Sequence, residues 1–499
     1  MAAKPVRRAR TRRTTPAPLG LPPRANEICL EVEDHSAARR SAIDFFQLRR
    51  LGDPQTLAAR AARLAEQFIT QNRSLMALLN VQIDRDYDGT DLHLLIRSGN
   101  AVGAIPLISP TTARADYGLV VQPRFPWAGI GPMLAEMGWK VSPNPLRLPL
   151  LRRSERRVPV WVLSFMILAR LKVLLDSLER RFELPTEMRR APRGTVHWAA
   201  YAARSLSRAN VLSIPCTFPD LRDDRLLKGA IRHAVERQLR ALEAQKEHGA
   251  FVHRLIEFAE QLLRKVQMVP AYVPSATTLG VWLQRPMRTE PFLNGVQAIE
   301  WTIEERGLAG LSDLEGIPWV MPMDTFFEAW IESIFQVVAR RTGAQIRVGR
   351  KRETVHAINW EPPYLGSQKS LVPDIWLEWE STTLIVDAKY KRHWEELQRR
   401  SWINIEEEMR EQHRNDLLQA LAYANLARTP RVITCLAYPC SPDNWKSLRE
   451  RGRMIHRAEL TVGARSIHLW LTAVPMASDV QYIADGITDE LRKLAATTT

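Results

Sequence analysis

Three charged residues stand inside two strongly β-forming runs of the segment SLVPDIWLEWESTTLIVDAKYKR, residues 370–392. Asp374 lies in the first run, and Asp387 and Lys389 end the second. Because side chains alternate along a strand, Asp387 and Lys389 are expected on one face. The connection at 380–383 is short, so the two strands are neighbours and Asp374 can approach Asp387. The pattern predicts two converging carboxylates beside an ammonium group.

Facing carboxylates beside an ammonium group have a defined use in phosphodiester chemistry. Carboxylate oxygens and waters are the ligands that Mg²⁺ prefers, and the bound ion polarises a phosphodiester and lowers the pKa of a water. The lysine can position or deprotonate that water and stabilise the developing charge. Without a metal, the carboxylates would raise each other's pKa. The alternative interpretation is a surface ion pair at the edge of an ordinary hairpin.

The composition is that of a globular protein with an excess of basic residues. The chain has 499 residues, enough for two or three domains, and 45% of them are hydrophobic. Its formal net charge is +15. Residues 1–26 hold seven basic residues and no acid, so the rest of the chain carries +8. This charge is compatible with a polyanionic partner such as nucleic acid, although many proteins that bind no polyanion are equally basic.

The sequence predicts no membrane contact. Its longest apolar run, VPVWVLSFMILA, begins at Val158 and ends before Arg170, which is too short to cross a bilayer. The Arg-rich N-terminus lacks the apolar segment of a signal peptide. The four cysteines include no Cys-x-x-Cys pair, which argues against a disulfide framework and a zinc site. We therefore expect a cytoplasmic protein.

Hydrophobic periodicity predicts an α/β (α+β) fold in successive regions. After a basic disordered tail at 1–26, residues 27–145 mix strands such as EICLEVED with helices such as PQTLAARAARLAEQFI. Residues 146–317 are predicted to be mainly helical, with runs such as VWVLSFMILARLKVLLDSLERRF. Residues 318–480 alternate the helix MDTFFEAWIESIFQVVARRTG, the hairpin, the helix NIEEEMREQHRNDLLQALAYANLA and further strands, which favours a small mixed sheet flanked by helices. Residues 481–499 form a C-terminal helix or tail.

The motifs in this order resemble a known nuclease family. VPDIWLEW followed by TLIVDAKYK is similar to the PD-(D/E)xK nuclease core, and more narrowly to the McrC subunit of 5-methylcytosine restriction systems. FFEAWIESIF resembles the helix that precedes this core in McrC-like proteins, and NDLLQALAYA resembles the helix that follows it. Upstream, the segment that begins RGTVHW and contains VLSIPCTFPDLRDD resembles further McrC-like strands and a helix.

The resemblance implies a PD-(D/E)xK restriction-endonuclease-like domain at 318–480 and assigns roles to its polar residues. Asp374 and Asp387 become metal ligands together with Glu328 and Ala388, and Lys389 becomes the catalytic lysine. Gln419 and Tyr423 would brace the site or touch the phosphate; they are four residues apart and share a helical face. Two of these residues also have simpler interpretations. Glu328 could be a solvated flanking glutamate of an amphipathic helix, and Tyr423 a core residue with a satisfied hydroxyl.

The leading hypothesis is a Mg²⁺-dependent DNA endonuclease subunit of a nucleotide-driven restriction or anti-phage defence complex. The chain has no Gly-x-x-x-x-Gly-Lys-Ser/Thr phosphate loop, and the resemblance implies a separate AAA+ GTPase or ATPase partner of the McrB type. It also implies that residues 27–145 and the middle region dock on that partner. Two alternatives stay open: a non-catalytic DNA-binding adaptor that regulates an AAA+ partner, and a stand-alone restriction or repair nuclease.

Overall fold

A computed structural model describes residues 28–496 except for short gaps at 49–52, 90, 147–159, 179–180, 184–185, 219, 223, 285–288, 305–306, 309–315, 365, 392–406, 463–464 and 478. The basic segment predicted as a disordered tail lies outside the described residues. Helices and strands alternate along the chain, so the predicted mixed α and β class is confirmed. No helix among the described residues is long and apolar enough to cross a membrane.

The N-terminal region consists of two small sheets and one long helix. Its strands are β1 (Ile28–Glu33), β2 (Ala37–Ser41), β3 (Val81–Asp88), β4 (Asp91–Ser98), β5 (Ala101–Leu107), β6 (Tyr117–Gln122) and β7 (Asn144–Pro145), and its helices are α1 (Ala42–Phe45), α2 (Pro54–Ala77) and α3 (Trp127–Glu136). Helix α2 begins where the Asp53 carboxylate accepts a hydrogen bond from the Thr56 amide, an N-cap followed by proline in the first turn. Its apolar face packs against β3, β4 and β5.

The middle region is a helical layer with short strands at one end. Its helices are α4 (Val160–Ser177), α5 (Trp198–Arg204), α6 (Arg225–Glu243), α7 (Ala250–Val266), α8 (Ala276–Gln284) and α9 (Glu290–Ile303). Its strands are β8 (Arg181–Glu183), β9 (Thr186–Arg189), β10 (Thr195–Val196), β11 (Ile214–Thr217), β12 (Asp220–Arg222), β13 (Gly307–Leu308), β14 (Gly316–Ile317) and β15 (Trp319–Pro322). The prediction that α4 runs on to Phe182 is wrong, because the chain there pairs with β12 and tertiary pairing overrides helical propensity.

The C-terminal region is built on a mixed sheet. Its helices are α10 (Met323–Thr342), α11 (Glu407–Ala424), α12 (Pro442–Glu450) and α13 (Val480–Ala496). Its strands are β16 (Gln345–Val348), β17 (His356–Ala357), β18 (Ser370–Leu371), β19 (Ile375–Trp379), β20 (Thr382–Ala388), β21 (Arg431–Cys440), β22 (Ile455–Val462) and β23 (Arg465–Pro475). The described strands form a sheet in the order β16–β19–β20–β21–β23–β22. The inner pairs β20/β21 and β21/β23 are parallel, and the outer pairs are antiparallel.

Helix α10 connects the regions. Its side chains Trp330, Ile331 and Ile334 are fully buried in the core that also contains the middle-region helices. The helix ends at Gly343, whose φ of +71° is the left-handed conformation that glycine adopts readily at a helix C-terminus. Strand β15, directly before α10, pairs with β5 and β7 of the N-terminal region. The start of α10 is therefore held against the N-terminal sheet.

Candidate active site

The β19–β20 hairpin brings Asp374 opposite Asp387. The strands are joined through Glu380 and Ser381 only, and their antiparallel register ends at the pair Ile375 and Val386. One further step along that register sets the two aspartates side by side. The Asp374 carboxylate Oδ2 accepts a hydrogen bond from the Ala388 amide at 2.7 Å, which holds it across the end of β20. Ala388 thus contributes to the site through its backbone.

The alternation of side chains along β20 places the charged residues on one face of the sheet. Leu384 and Val386 are fully buried in the core shared with α10, whereas Ile385 belongs to a smaller cluster that includes Tyr423 of α11. Asp387 and Lys389 follow Ile385 at steps of two, so they share its face. The prediction that they lie together is confirmed by the 2.7 Å separation of Lys389 Nζ and Asp387 Oδ2.

Helix α11 completes the surroundings of the lysine. Lys389 Nζ donates a hydrogen bond to Gln419 Oε1 at 2.8 Å, and Gln419 Nε2 donates to the Tyr423 hydroxyl, also at 2.8 Å. The Tyr423 hydroxyl in turn lies 3.4 Å from the Val372 carbonyl, at the approach to the hairpin. Gln419 and Tyr423 therefore share one helical face, as their spacing predicts. Their observed contacts orient the ammonium group.

The electrostatics of the aspartate pair are those of a site built for positive charge. Burial raises the pKa of Asp374 well above its usual value, and Asp387 and Glu328 raise it further. Burial also raises the pKa of Asp387, although the neighbouring Lys389 opposes this rise. For Lys389, burial lowers the pKa, but Asp387, Asp416 and Asp374 outweigh it, and the net pKa is raised. The ammonium form is thus favoured, which suits charge stabilisation better than proton abstraction.

Glu328 lies on helix α10, near Asp374 and Asp387 of the β19–β20 hairpin. Burial raises its pKa, Asp324 adds to the rise, and Arg350 opposes it; Asp387 and Lys389 act more weakly. Among the described residues, no three His, Cys, Asp or Glu side chains are grouped closely enough to hold a metal ion. The role of Glu328 as a third metal ligand stays a prediction, and Glu328 is near enough to Asp374 to raise its pKa. Two facing carboxylates fit Mg²⁺, which is commonly bound by one or two carboxylates and several waters. A bound cation would favour the ionised form of Asp374, whose pKa is raised by burial and by Asp387.

A second polar cluster adjoins the first and is absent from the predicted site. Asp416 of α11 is buried, and its carboxylate lies 2.7 Å from Lys391 Nζ and 4.0 Å from Lys389 Nζ. The Tyr438 hydroxyl of β21 donates a hydrogen bond to the same carboxylate at 3.2 Å. The signal was available in the sequence, because Asp416 precedes Gln419 by three residues and so shares its helical face.

The N-terminal region reaches the residues that follow the lysine. Arg124 lies after β6, and its backbone amide donates to the Asp34 carboxylate at 2.5 Å. Its guanidinium lies 3.8 Å from that carboxylate and donates to the Lys391 carbonyl at 3.2 Å. The same group lies over the Tyr390 ring, and burial followed by Asp34 raises the pKa of Tyr390. No local sequence signal links these positions.

Comparisons with known proteins agree with the motif resemblance. The model of the family described as McrBC 5-methylcytosine restriction system component matches residues 133–439. No curated protein matches the chain. Two similar solved structures are from Thermococcus gammatolerans. One is a half-complex from a tetradecameric assembly of McrB AAA+ hexamers with bound McrC: the identity is 13%, the match covers 93% of this chain and 100% of that one, and the TM-score is 0.41.

The other is the McrBC complex of the same organism, with 14% identity over 64% of this chain and 89% of that one and a TM-score of 0.25. The family match extends over more than half of the chain, from α3 to β21. It includes the whole β19–β20 hairpin and helix α11. This chain belongs to the McrBC 5-methylcytosine restriction system component family.

Proposed function

We propose that this chain is the Mg²⁺-dependent DNA endonuclease subunit of a nucleotide-driven McrBC restriction complex, and that residues 318–480 form a PD-(D/E)xK nuclease domain. The observation that carries the proposal is the arrangement of Asp374, Asp387 and Lys389 at the end of one hairpin, with the lysine 2.7 Å from Asp387. A structural ion pair accounts for one carboxylate beside a lysine. It does not account for a second, half-buried carboxylate, Asp374, whose pKa is raised by burial and then by Asp387.

In this proposal the residues divide the work of phosphodiester hydrolysis. Asp374 and Asp387 would hold Mg²⁺, which when bound polarises the phosphodiester and lowers the pKa of the attacking water. The Lys389 ammonium group stabilises the negative charge that grows on the phosphate as the water oxygen bonds to phosphorus and the bridging P–O bond breaks. Gln419 orients that ammonium group through its 2.8 Å hydrogen bond. The products are a phosphate monoester and a free hydroxyl group.

The proposal includes a separate AAA+ subunit of the McrB type as the source of nucleotide hydrolysis. The chain itself contains no phosphate-loop motif. The middle region exposes large apolar side chains, among them Trp198 at 67% and Leu212 at 64% exposure. Exposed tryptophan and leucine close in the sequence are typical of a protein interface. We assign this surface to the docking of the partner.

A non-catalytic, DNA-binding adaptor is the second candidate. The observation that favours it is the lack of a three-carboxylate metal cluster among the described residues. Two observations oppose it. Both aspartates and the lysine are present, and Gln419 and the Ala388 amide position Lys389 and Asp374, an arrangement that a non-catalytic adaptor does not require.

Cleavage of plasmid DNA separates the two functions. The full-length chain is combined with its AAA+ partner, Mg²⁺ and GTP or ATP, and wild type is compared with Asp387→Ala and Lys389→Ala. Matched controls are Asp443→Ala and Lys446→Ala, which change exposed residues of the same types on α12. Loss of cleavage in the first pair but not in the controls supports the nuclease. If wild type stimulates the partner without cutting DNA, and both hairpin variants do the same, the adaptor is correct.

A further inference from the structure

A cavity of about 710 Å³ lies between the N-terminal region and the end of β20. One side is formed by the end of α2 and the turns flanking β3 and β5, including Arg73, Asn80 and Asn100; the other is formed by residues 388–391, including Lys389. We propose that this cleft binds the DNA strand next to the scissile phosphate, with Arg73 as a phosphate contact supplied by the N-terminal region. The inference rests on the proposed nuclease function and names a part of its substrate site.

The charges that line the cleft favour a polyanion. Arg73, Lys389 and Lys391 contribute positive side chains, and Asp324 is the acid among the described lining residues. The Asp324 carboxylate accepts a hydrogen bond from Asn100 Nδ2 at 2.7 Å, so an amide of the lining already contacts this acid. Most protein–DNA hydrogen bonds go to phosphate and sugar oxygens, and arginine is the commonest donor of paired hydrogen bonds to phosphate.

Arg73 is well placed for this role. Its side chain is exposed at the last turns of α2, and within the described residues it makes no ion pair. In contrast, Arg39, Arg85 and Arg97 of the same region pair with nearby acids. Arg73 lines the same cleft as the proposed catalytic lysine, Lys389. Because its guanidinium pairs with no carboxylate among the described residues, it is available to a phosphate.

The N-terminal wall of the cleft is held rigidly to the nuclease domain. The Gly99 amide donates to the Asn80 carbonyl at 2.8 Å, and a Cβ atom at Gly99 would come within 2.9 Å of Asn80 Cβ. The Asn80 amide side chain donates to Asn100 Oδ1 at 2.5 Å. The Asn100 carbonyl accepts from the Met323 amide at 2.8 Å, at the first residue of α10. The wall is thus fastened to the helix that carries Glu328.

The size of the cleft selects a short stretch of strand. Its volume falls within the range of about 300–1,000 Å³ that is typical of pockets for small ligands, and Lys389 is one of the residues that line it. A few nucleotides of one strand fit this space, and a duplex does not. The cleft would therefore hold the strand that is cut, directly beside the residues that cut it.

Salt-dependent DNA binding tests the cleft without relying on cleavage. Affinity of the full-length protein for a fluorescent single-stranded oligodeoxynucleotide is measured in EDTA at several salt concentrations for wild type and Arg73→Ala. The matched control is Arg63→Ala, which removes an exposed arginine of the same helix that does not line the cleft. We expect Arg73→Ala to weaken binding about tenfold and to reduce the slope of log Kd against log salt by about 1. Arg63→Ala should leave the slope at the wild-type value.

A second variant fills the cleft instead of removing charge. Ala77→Trp changes an exposed lining residue at the end of α2, so folding is preserved while the strand is blocked. Equal affinity and slope for Arg73→Ala, Ala77→Trp and Arg63→Ala would overturn the cleft, whether or not the wild type cuts DNA. Loss of binding in the two cleft variants, in a wild type that never cuts, would keep the cleft and remove the nuclease function.

Discussion

The Arg124 guanidinium lies 4.6 Å from the centroid of the Tyr390 ring, one residue beyond the lysine of the candidate active site. Its charge is balanced by Asp34, which is fully buried, and the Arg124 side chain is itself only 9% exposed. The backbone of Lys391 accepts a hydrogen bond from the same guanidinium. A buried ion pair of the N-terminal region therefore holds the chain segment that carries Lys389.

Removing Arg124 should destabilise the protein strongly. Arg124→Ala removes the guanidinium beside the buried Asp34 carboxylate, and removal of one charge of a buried ion pair costs about 3–5 kcal/mol. Arg97→Ala is the control, because the Arg97–Asp84 pair has a similar kind of contact at 2.6 Å but side chains that are 55% and 52% exposed. Exposed pairs contribute about 0–1 kcal/mol. Denaturant unfolding measures both, and equal midpoints for the two variants would contradict the structural role of Arg124.

Gln419→Leu should slow cleavage while leaving DNA affinity unchanged. The substitution removes the acceptor that orients Lys389 Nζ at 2.8 Å. A hydrogen bond to a charged group contributes about 1.5–3 kcal/mol, so the single-turnover rate should fall about tenfold or more. Gln419→Glu keeps an acceptor at the same position and should retain more of the rate. Leu418→Ala, at an exposed neighbouring position, is the control, and a Gln419→Leu rate equal to that of Leu418→Ala would rule out the orienting role.

Asp374→Asn should stabilise the metal-free protein at neutral pH. The pKa of Asp374 is raised in the folded state, chiefly by burial and then by Asp387. An acid with a raised folded pKa stabilises the fold fully below its unfolded pKa, and that contribution is lost as pH rises through the folded pKa. The Tm advantage of Asp374→Asn over wild type in EDTA should therefore grow from pH 4 to pH 8. An advantage that shrinks over this range would contradict the burial of an ionisable Asp374.

Mg²⁺ should stabilise the wild type and fail to stabilise Asp374→Asn. A ligand that binds only the folded state at 100 times its Kd adds about 2.7 kcal/mol of stability. Thermal melting with Mg²⁺ and with EDTA at pH 8 measures this without any cleavage assay. Asp443→Asn, which changes an exposed aspartate, should respond to Mg²⁺ as the wild type does. An equal Mg²⁺ response in all three proteins would show that Asp374 is not a ligand.

Trp198→Glu should weaken binding of the AAA+ partner. The side chain is 67% exposed, so the change does not disturb a core, but it places a charge where an apolar contact is proposed. Buried interface tryptophans commonly contribute about 2 kcal/mol or more, equivalent to about a 30-fold loss of affinity. Met268→Glu, at a side chain with 85% exposure, is the control. Equal partner binding and equal stimulation of nucleotide hydrolysis by the two variants would exclude this docking surface.

The hairpin chemistry was predictable because it depends on local geometry. A period of two along TLIVDAK places Asp387 and Lys389 on one face, and a short connection sets the strands side by side. A period of about 3.6 likewise joins Gln419 to Tyr423 on α11. Hydrophobic periodicity did not reveal the short strands β9 to β11 within the mainly helical region, since strands of two to four residues are too short to show a period. The resemblance of RGTVHW and VLSIPCTFPD to McrC-like strands did indicate the positions of β10 and β11.

The sequence by itself determined the residue types of the candidate site, the helices and strands that carry them, and the family to which the chain belongs. These follow from spacings of a few residues, over which backbone geometry alone decides what lies together. Only the tertiary structure decided that Arg124 donates a hydrogen bond to the segment after Lys389, and that Arg73 and Lys389 line one cleft. Such contacts join residues hundreds of positions apart, and they depend on how β15 and α10 pack the N-terminal sheet against the C-terminal one.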